Sequence, residues 1–258
     1  MKNEYTQLLI SLTRREYKTR YLGSVLGSYW NLVHPFVMIL LYTIIFSQLM
    51  KTRLGLEQSK WAYSIYLCTG ILAWNFFSEI VNRGTTTLID NAAFLKKMKF
   101  PPYILFGALY MSAAINFLFG FAIFSVALSI LHPIAWQNYL LSYLVALAFG
   151  GMGLGLGVAL GCMNVFLRDF QQITSIVFQL WFWFTPIIYL YDALPVFAQN
   201  LLVYNPAFPF ISALRTLLFY DKGLEYQDLM MMTFWISLTT GVAYWIYKKS
   251  VSLVRDQL

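Results

Sequence analysis

The sequence predicts an all-α integral membrane protein: six transmembrane helices, an N-terminal amphipathic interface helix, a short helix on the inner face and a re-entrant hairpin on the outer face. Three observations carry that prediction. Hydrophobic residues make up 59% of the 258 and charged residues only 11%, far from the balance of a soluble domain. Apolar runs recur along the whole chain, each near or above the ~20 residues that cross a bilayer. After the fifth run, Pro186, Pro195, Pro206 and Pro209 interrupt a stretch still rich in leucine and phenylalanine. Broken backbone at membrane depth survives only where protein buries it or a watery cavity receives it. This stretch therefore reads as a hairpin dipping back into the membrane, the alternative being a non-crossing loop that lies on the headgroups.

Residues 1–258 read as a single transmembrane domain. Segment 1–32 holds the interface helix and an elbow, 33–190 five spans, 191–228 the outer hairpin, and 229–258 the sixth span and a tail. In the helix at 3–20, Tyr5, Leu8, Leu9 and Leu12 recur at helical spacing and point down into the interface. Arg14, Arg15, Lys18 and Arg20 put charge at its end. The elbow Tyr21–Trp30 is punctuated by glycine and serine, with Tyr29 and Trp30 placed as interfacial anchors. No early apolar run or cleavage site marks a signal peptide.

The spans fall at 33–50, 62–81, 103–131, 139–163, 173–190 and 229–247. With the N-terminus inside, the inner connections carry thirteen of the Lys and Arg residues and the outer ones five. That bias predicts both termini in the cytoplasm. The inner connection 82–102 contains a short helix from Ala92 to Lys97, started by Asp90 or Asn91 and closed by Pro101-Pro102. Leu88, Ile89, Phe94 and Leu95, with Lys96 beside them, are an odd apolar set for a solvated turn and would suit a partner's groove. In the fourth span, Gly153, Gly157 and Gly161 lie four apart on one helix face, where another helix can approach closely.

Catalytic chemistry is missing from this pattern. Of the acidic residues only Glu79 falls in a span. His34 and His132 sit at opposite faces, and no metal-ligand spacing, Walker loop or nucleophile elbow occurs. The expectation is no catalytic site, no metal and no cofactor in this chain. A proton- or sodium-driven carrier usually places ionisable groups in mid-span. The pattern is a transporter's shape without its own power source, so energy is expected from another polypeptide. A membrane transferase would need placed acids or histidines that the sequence does not offer.

Rings take the place of charge: 18 Tyr, 22 Phe and 8 Trp. Most fit lipid contact or an interfacial belt. Tyr42, Phe46, Trp181, Trp183, Phe184 and Tyr189 are candidates to line a pathway. Rings offer a sugar's C–H face a flat apolar surface, and Tyr and Trp keep a polar handle. The same rings equally suit a hydrophobic drug or a lipid.

Arg15-Glu16-Tyr17-Lys18-Thr19-Arg20-Tyr21-Leu22-Gly23-Ser24-Val25-Leu26-Gly27-Ser28-Tyr29-Trp30 with Pro35 resembles the N-terminal signature of type-2 ABC exporter permeases for polysaccharides. That family exports O-antigen, capsule or teichoic acid, and the likeness is greatest to its O-antigen members. Phe166-Leu167-Arg168-Asp169-Phe170 resembles its inner Arg-Asp turn, and Phe182–Tyr189 with Asn205-Pro206 and Arg215 resembles its outer segment. The resemblance implies a homodimer with a channel between the copies, in the bacterial inner membrane. It implies two separate ATPase subunits that bind ATP and magnesium and meet a cytoplasmic coupling helix including Leu88, Ile89, Phe94, Leu95 and Lys96. It implies a periplasmic gate containing Pro195, Asn205, Pro206, Pro209 and Arg215. The cargo implied is an undecaprenyl-pyrophosphate-linked polysaccharide, whose pyrophosphate Arg14, Arg15, Lys18 and Arg20 would attract. Membrane lipids are expected partners and nucleic acid is not.

Overall fold

A computed structural model describes residues 2–19, 29, 33, 36–41, 44, 61–97 and 100–257. Among these, every regular element is a helix. Helix α1 spans Lys2–Thr19, α2 Ala62–Asp90, α3 Ala92–Lys97, α4 Tyr103–Leu131, α5 Trp136–Phe166 and α6 Phe170–Phe184. A 3-10 turn at Tyr191–Ala193 leads to α7, Val196–Leu202, then α8, Phe208–Leu218, and α9, Tyr226–Gln257. Residues 36–41, in the first expected span, are helical. Val33 and Ile44 of that span are also described; its other residues, Tyr42 and Phe46 among them, lie outside the described residues, as do Arg20 and most of the elbow.

Among the described residues, four helices are long and apolar enough to cross a membrane: Ala62–Asp90, Tyr103–Leu131, Trp136–Phe166 and Tyr226–Val251. The second expected span continues nine residues past its expected end, so Arg83 and Leu88 belong to α2 rather than to a connection. The fifth ends earlier than expected. Helix α6 has 15 residues, roughly 22 Å at 1.5 Å per residue. Pro186 lacks the N–H that would continue the ladder, and Thr185 leaves it with extended backbone.

The core forms where α2 lies along α5, and glycine decides how closely. A β-carbon added at Gly84 would stand 2.7 Å from the Gly157 α-carbon, and one at Gly161 would stand 2.5 Å from the Gly84 carbonyl oxygen. The Gly153–Gly157–Gly161 face is thus the seam against α2. Aromatic rings fill the layer above it: Phe77 stacks on Phe149 at 4.2 Å, and Phe149 on Phe210 of α8 at 4.9 Å. Helix α8 is buried along most of its length, with Phe210, Ile211, Leu214, Leu217 and Leu218 in the core.

The leucines of the amphipathic helix α1 meet α4. Leu8, Leu9 and Leu12 pack on Phe100, Ile104, Leu105 and Ala108 at the start of α4, and Leu12 is 3% exposed. Two polar ties fix the ends of the bundle. Asn164 donates to the Thr85 carbonyl and accepts the Gln171 N–H, joining α5, α2 and α6. Asp221, in the left-handed region at φ 49°, accepts from the Ala135 N–H and the Asn138 amide, tying the α8–α9 turn to the start of α5.

Candidate functional site: a ring-edged helix between two anchored ends

Helix α6 carries the ring-rich run, and the structure divides its rings into two groups. Trp181 is half-buried, with ring contacts to Trp74 at 5.8 Å, Phe77 at 5.5 Å and Phe178 at 5.3 Å. Trp183 and Phe184 face outward, at 58% and 71% exposure. Tyr189 donates to the Trp183 carbonyl at 2.9 Å and holds the chain just beyond the helix end. The described part of the expected ring surface is therefore Trp183, Phe184 and Tyr189. Trp181 is a packing residue that carries a polar function at one edge.

That function is the knot at Asn205. The Trp181 indole N–H donates to Asn205 Oδ1 at 2.8 Å, and the same oxygen accepts the Ala207 N–H. Asn205 Nδ2 donates to the Phe184 carbonyl and to Thr185 Oγ1. One amide thus satisfies groups freed where α6 ends and where α8 begins, places where backbone polar groups lose their helical partners. Pro206 follows in the turn. Pro209 is buried in the first turn of α8, where a missing N–H costs nothing, and exposed Pro195 precedes α7.

Arg215 locks the same segment to α2. It is 5% exposed, donates to the Ile187 carbonyl at 2.9 Å, and lays its guanidinium 3.5 Å above the Tyr66 ring. Tyr63 and Tyr66 donate to the carbonyls of Ile188 and Tyr189. The irregular backbone at 185–190 is therefore held by side chains of α2. The sequence motif singles out Asn205 and Arg215 but leaves Tyr63, Tyr66 and Trp74 looking like ordinary spanning aromatics.

At the other end of α2, Asn91 occupies the turn between α2 and α3. Its carbonyl accepts the N–H groups of Phe94 and Leu95, while its side chain donates to the Thr87 carbonyl and accepts from Arg15. Arg15 also lies 4.3 Å from the centroid of the Phe94 ring. Next along α1, Glu16 pairs with Arg83, which also pairs with Glu79 at 3.2 Å.

The expected docking residues separate here. Phe94 and Lys96 are exposed, Ile89 and Leu95 are half-buried, and Leu88, at 1% exposure, is packed with Phe106 and Cys162. Leu88 supports the turn from beneath rather than presenting itself. The basic cluster separates likewise: Arg14 and Lys18 are exposed, whereas Arg15 is turned toward Asn91 and Phe94.

The ring-edged helix α6 runs into a segment tied down by Asn205 and Arg215, the Asn91 turn at the far end of α2 is joined to α1, and no cluster of three or more metal-binding side chains occurs among the described residues. The model of the ABC-2 type transporter family matches residues 7–219. The chain belongs to the ABC-2 type transporter family. It is 26% identical over 243 residues to an O-antigen export system permease protein of Klebsiella pneumoniae, covering 94% of this chain and 91% of that one. It is 30% identical over 191 residues to a Myxococcus xanthus protein of the same description, covering 72% and 69%. The ABC-2 match takes in α1 from Gln7, the Asn91 turn, the ring-rich helix and the chain through Phe219.

Proposed function

We propose that this ABC-2 chain is the membrane permease of an ATP-driven exporter of lipid-linked, O-antigen-type polysaccharide. Two copies form the channel, and two ATPase subunits that bind ATP and magnesium drive it from the cytoplasm. The observation that carries the reading is the joint one of family and surface. The chain is similar over nearly its whole length to O-antigen export permeases, and its ring-rich helix leaves Trp183 and Phe184 unburied.

In this reading the protein crosses the inner membrane six times with both termini inside. Helix α6 and the residues after it complete the fifth crossing, and α7 with α8 form a re-entrant periplasmic gate. Trp183, Phe184 and Tyr189, with Tyr42 and Phe46, give sugar rings flat faces that hold weakly enough to release. Phe94, Leu95 and Lys96 are the foot that the ATPase grips, with Ile89 and Leu88 behind them. Lys18 draws the pyrophosphate of the undecaprenyl carrier to the inner headgroups, where Arg20 adds charge, and Arg14 lines the groove between α1 and α4. Arg15 is engaged with the foot instead.

Complementation tests the reading. In a strain lacking this gene, plasmid-borne copy should restore surface polysaccharide. Rescue of resistance to an apolar drug, without polysaccharide, would favour the second reading that exposed rings allow: an exporter of drugs or lipids.

A further inference from the structure

A groove of about 440 Å³ runs between α1 and α4, away from the ring-rich helix. Leu9, Ile10, Thr13 and Tyr17 form one wall, and Met111, Ile115 and Phe119 the other. The α4 residues recur every fourth position, so this wall is a stripe along one helix face, roughly 12 Å long at 1.5 Å per residue. The groove is apolar along its length and carries one charge, Arg14, which is exposed on the α1 side. Lys18 follows one turn later and is also exposed. Its volume falls in the range of sites that take a small molecule.

We propose that this groove is a binding site for an anionic phospholipid of the inner leaflet, one acyl chain lying along α4 and the phosphate held by Arg14. Three observations fix the occupant. Ile10, Met111 and Phe119 are large apolar side chains left exposed, at 62%, 46% and 48%, and hydrocarbon is the solvent that suits them. The single charge at the rim is positive, complementary to a phosphate, and an interfacial cation that close to a hydrocarbon slot reads both parts of a lipid. The groove lies on the face of α4 opposite Phe117, Phe121 and Phe124, which are buried in the core, while α6 packs on α2 and α5. A molecule in the groove is therefore off the path of any cargo that meets the α6 rings. It sits against the helix whose Arg15 and Glu16 reach the inner knob and Arg83. This site stands on the fold and holds whether or not the exported cargo is a polysaccharide.

The test uses the permease with its ATPase partner in phosphatidylcholine vesicles, with a fluorophore on Met111→Cys; Cys68 and Cys162 are buried. Bromine-labelled acyl chains on phosphatidylglycerol should quench the probe more strongly than the same chains on phosphatidylcholine. The expected preference is roughly two- to fivefold in apparent affinity, as one screened charge pair allows. Arg14→Gln should abolish the preference while leaving quenching by phosphatidylcholine. Ile115→Trp, which fills the slot, should reduce quenching by both. Equal quenching by the two lipids, or a preference that survives Arg14→Gln, would overturn the proposal. So would the absence of quenching by either lipid, which would mean that protein fills the groove. Displacement of phosphatidylglycerol by an equimolar polyprenyl phosphate would assign the site to a carrier lipid and also overturn it.

Discussion

Arg15 and Phe94, almost eighty residues apart in the chain, meet as a cation over a ring with 4.3 Å between guanidinium and centroid. The contact joins α1 to the short helix α3, and the Asn91 amide binds the same arginine. A force applied at Phe94 is thus delivered to α1 as well as to α2. Phe94 keeps 38% of its surface exposed, so one ring edge remains for a partner.

Replacing Phe94 and Leu95 together by Asp should sever the ATPase while the permease still inserts. Each carboxylate would have to be desolvated in an apolar groove, a cost no partner could offset without a matching cation. Co-purification of the tagged permease with its ATPase measures this, and an unchanged yield of ATPase would remove the knob from the docking site. Arg15→Ala should be milder, leaving the ATPase bound but lowering export per ATP hydrolysed.

Asn205→Ala should loosen the outer hairpin. The substitution removes four hydrogen bonds and strands the Trp181 indole N–H, for a loss of about 2 kcal/mol. Asn205→Asp keeps the accepting oxygen and loses both Nδ2 donations, so its loss should be intermediate. Thermal unfolding in detergent gives the order; equal stability of all three proteins would deny the knot a structural role.

The rings of α6 should separate into two classes when truncated. Trp181→Ala should cost about 2 kcal/mol of stability and lower the amount of protein, because that indole is packed and hydrogen-bonded. Trp183→Ala and Phe184→Ala should leave the protein level unchanged and slow export. Surface polysaccharide normalised to permease content distinguishes the classes, and normal export in the double variant would place the cargo's path elsewhere.

Glycine provides an internal control for the packing of the bundle. Gly84→Ala places a methyl 2.7 Å from the backbone of Gly157 and should destabilise by about 1–3 kcal/mol. Gly151→Ala meets nothing within 4 Å and should be neutral or slightly favourable in mid-helix. Similar melting temperatures for the two variants would contradict the close seam between α2 and α5.

Much of this was legible in the residues. Hydrophobic run length located the four long helices, the spacing of Gly153, Gly157 and Gly161 foretold a close seam, and the Asn205-Pro206 motif marked the segment tied back to the end of α6. Run length could not tell where α2 stops, because Arg83 reads as the start of a connection until Glu16 and Glu79 are seen to neutralise it. Nor could it separate Trp181 from Trp183. The two are neighbours in any count of rings, and only the position of α2 and its Trp74 decides which is covered. Leu88 looked like part of the exposed knob because its partners, Phe106 and Cys162, are distant in the chain. The same distance hid Arg15's role: its charge was legible, but its destination at Asn91 and Phe94 was not.

The most direct test of the account is ATP-driven movement of polymer in a defined system. The permease and its ATPase partner would be reconstituted in vesicles with undecaprenyl-pyrophosphate-linked polysaccharide supplied on the ATPase side. Polymer protected inside the vesicles would be counted with an impermeant glycosidase. The account predicts that protection requires both subunits and ATP hydrolysis, and that Phe94→Asp with Leu95→Asp abolishes it. Protection driven by a proton gradient alone, or by the permease without the ATPase, would contradict it.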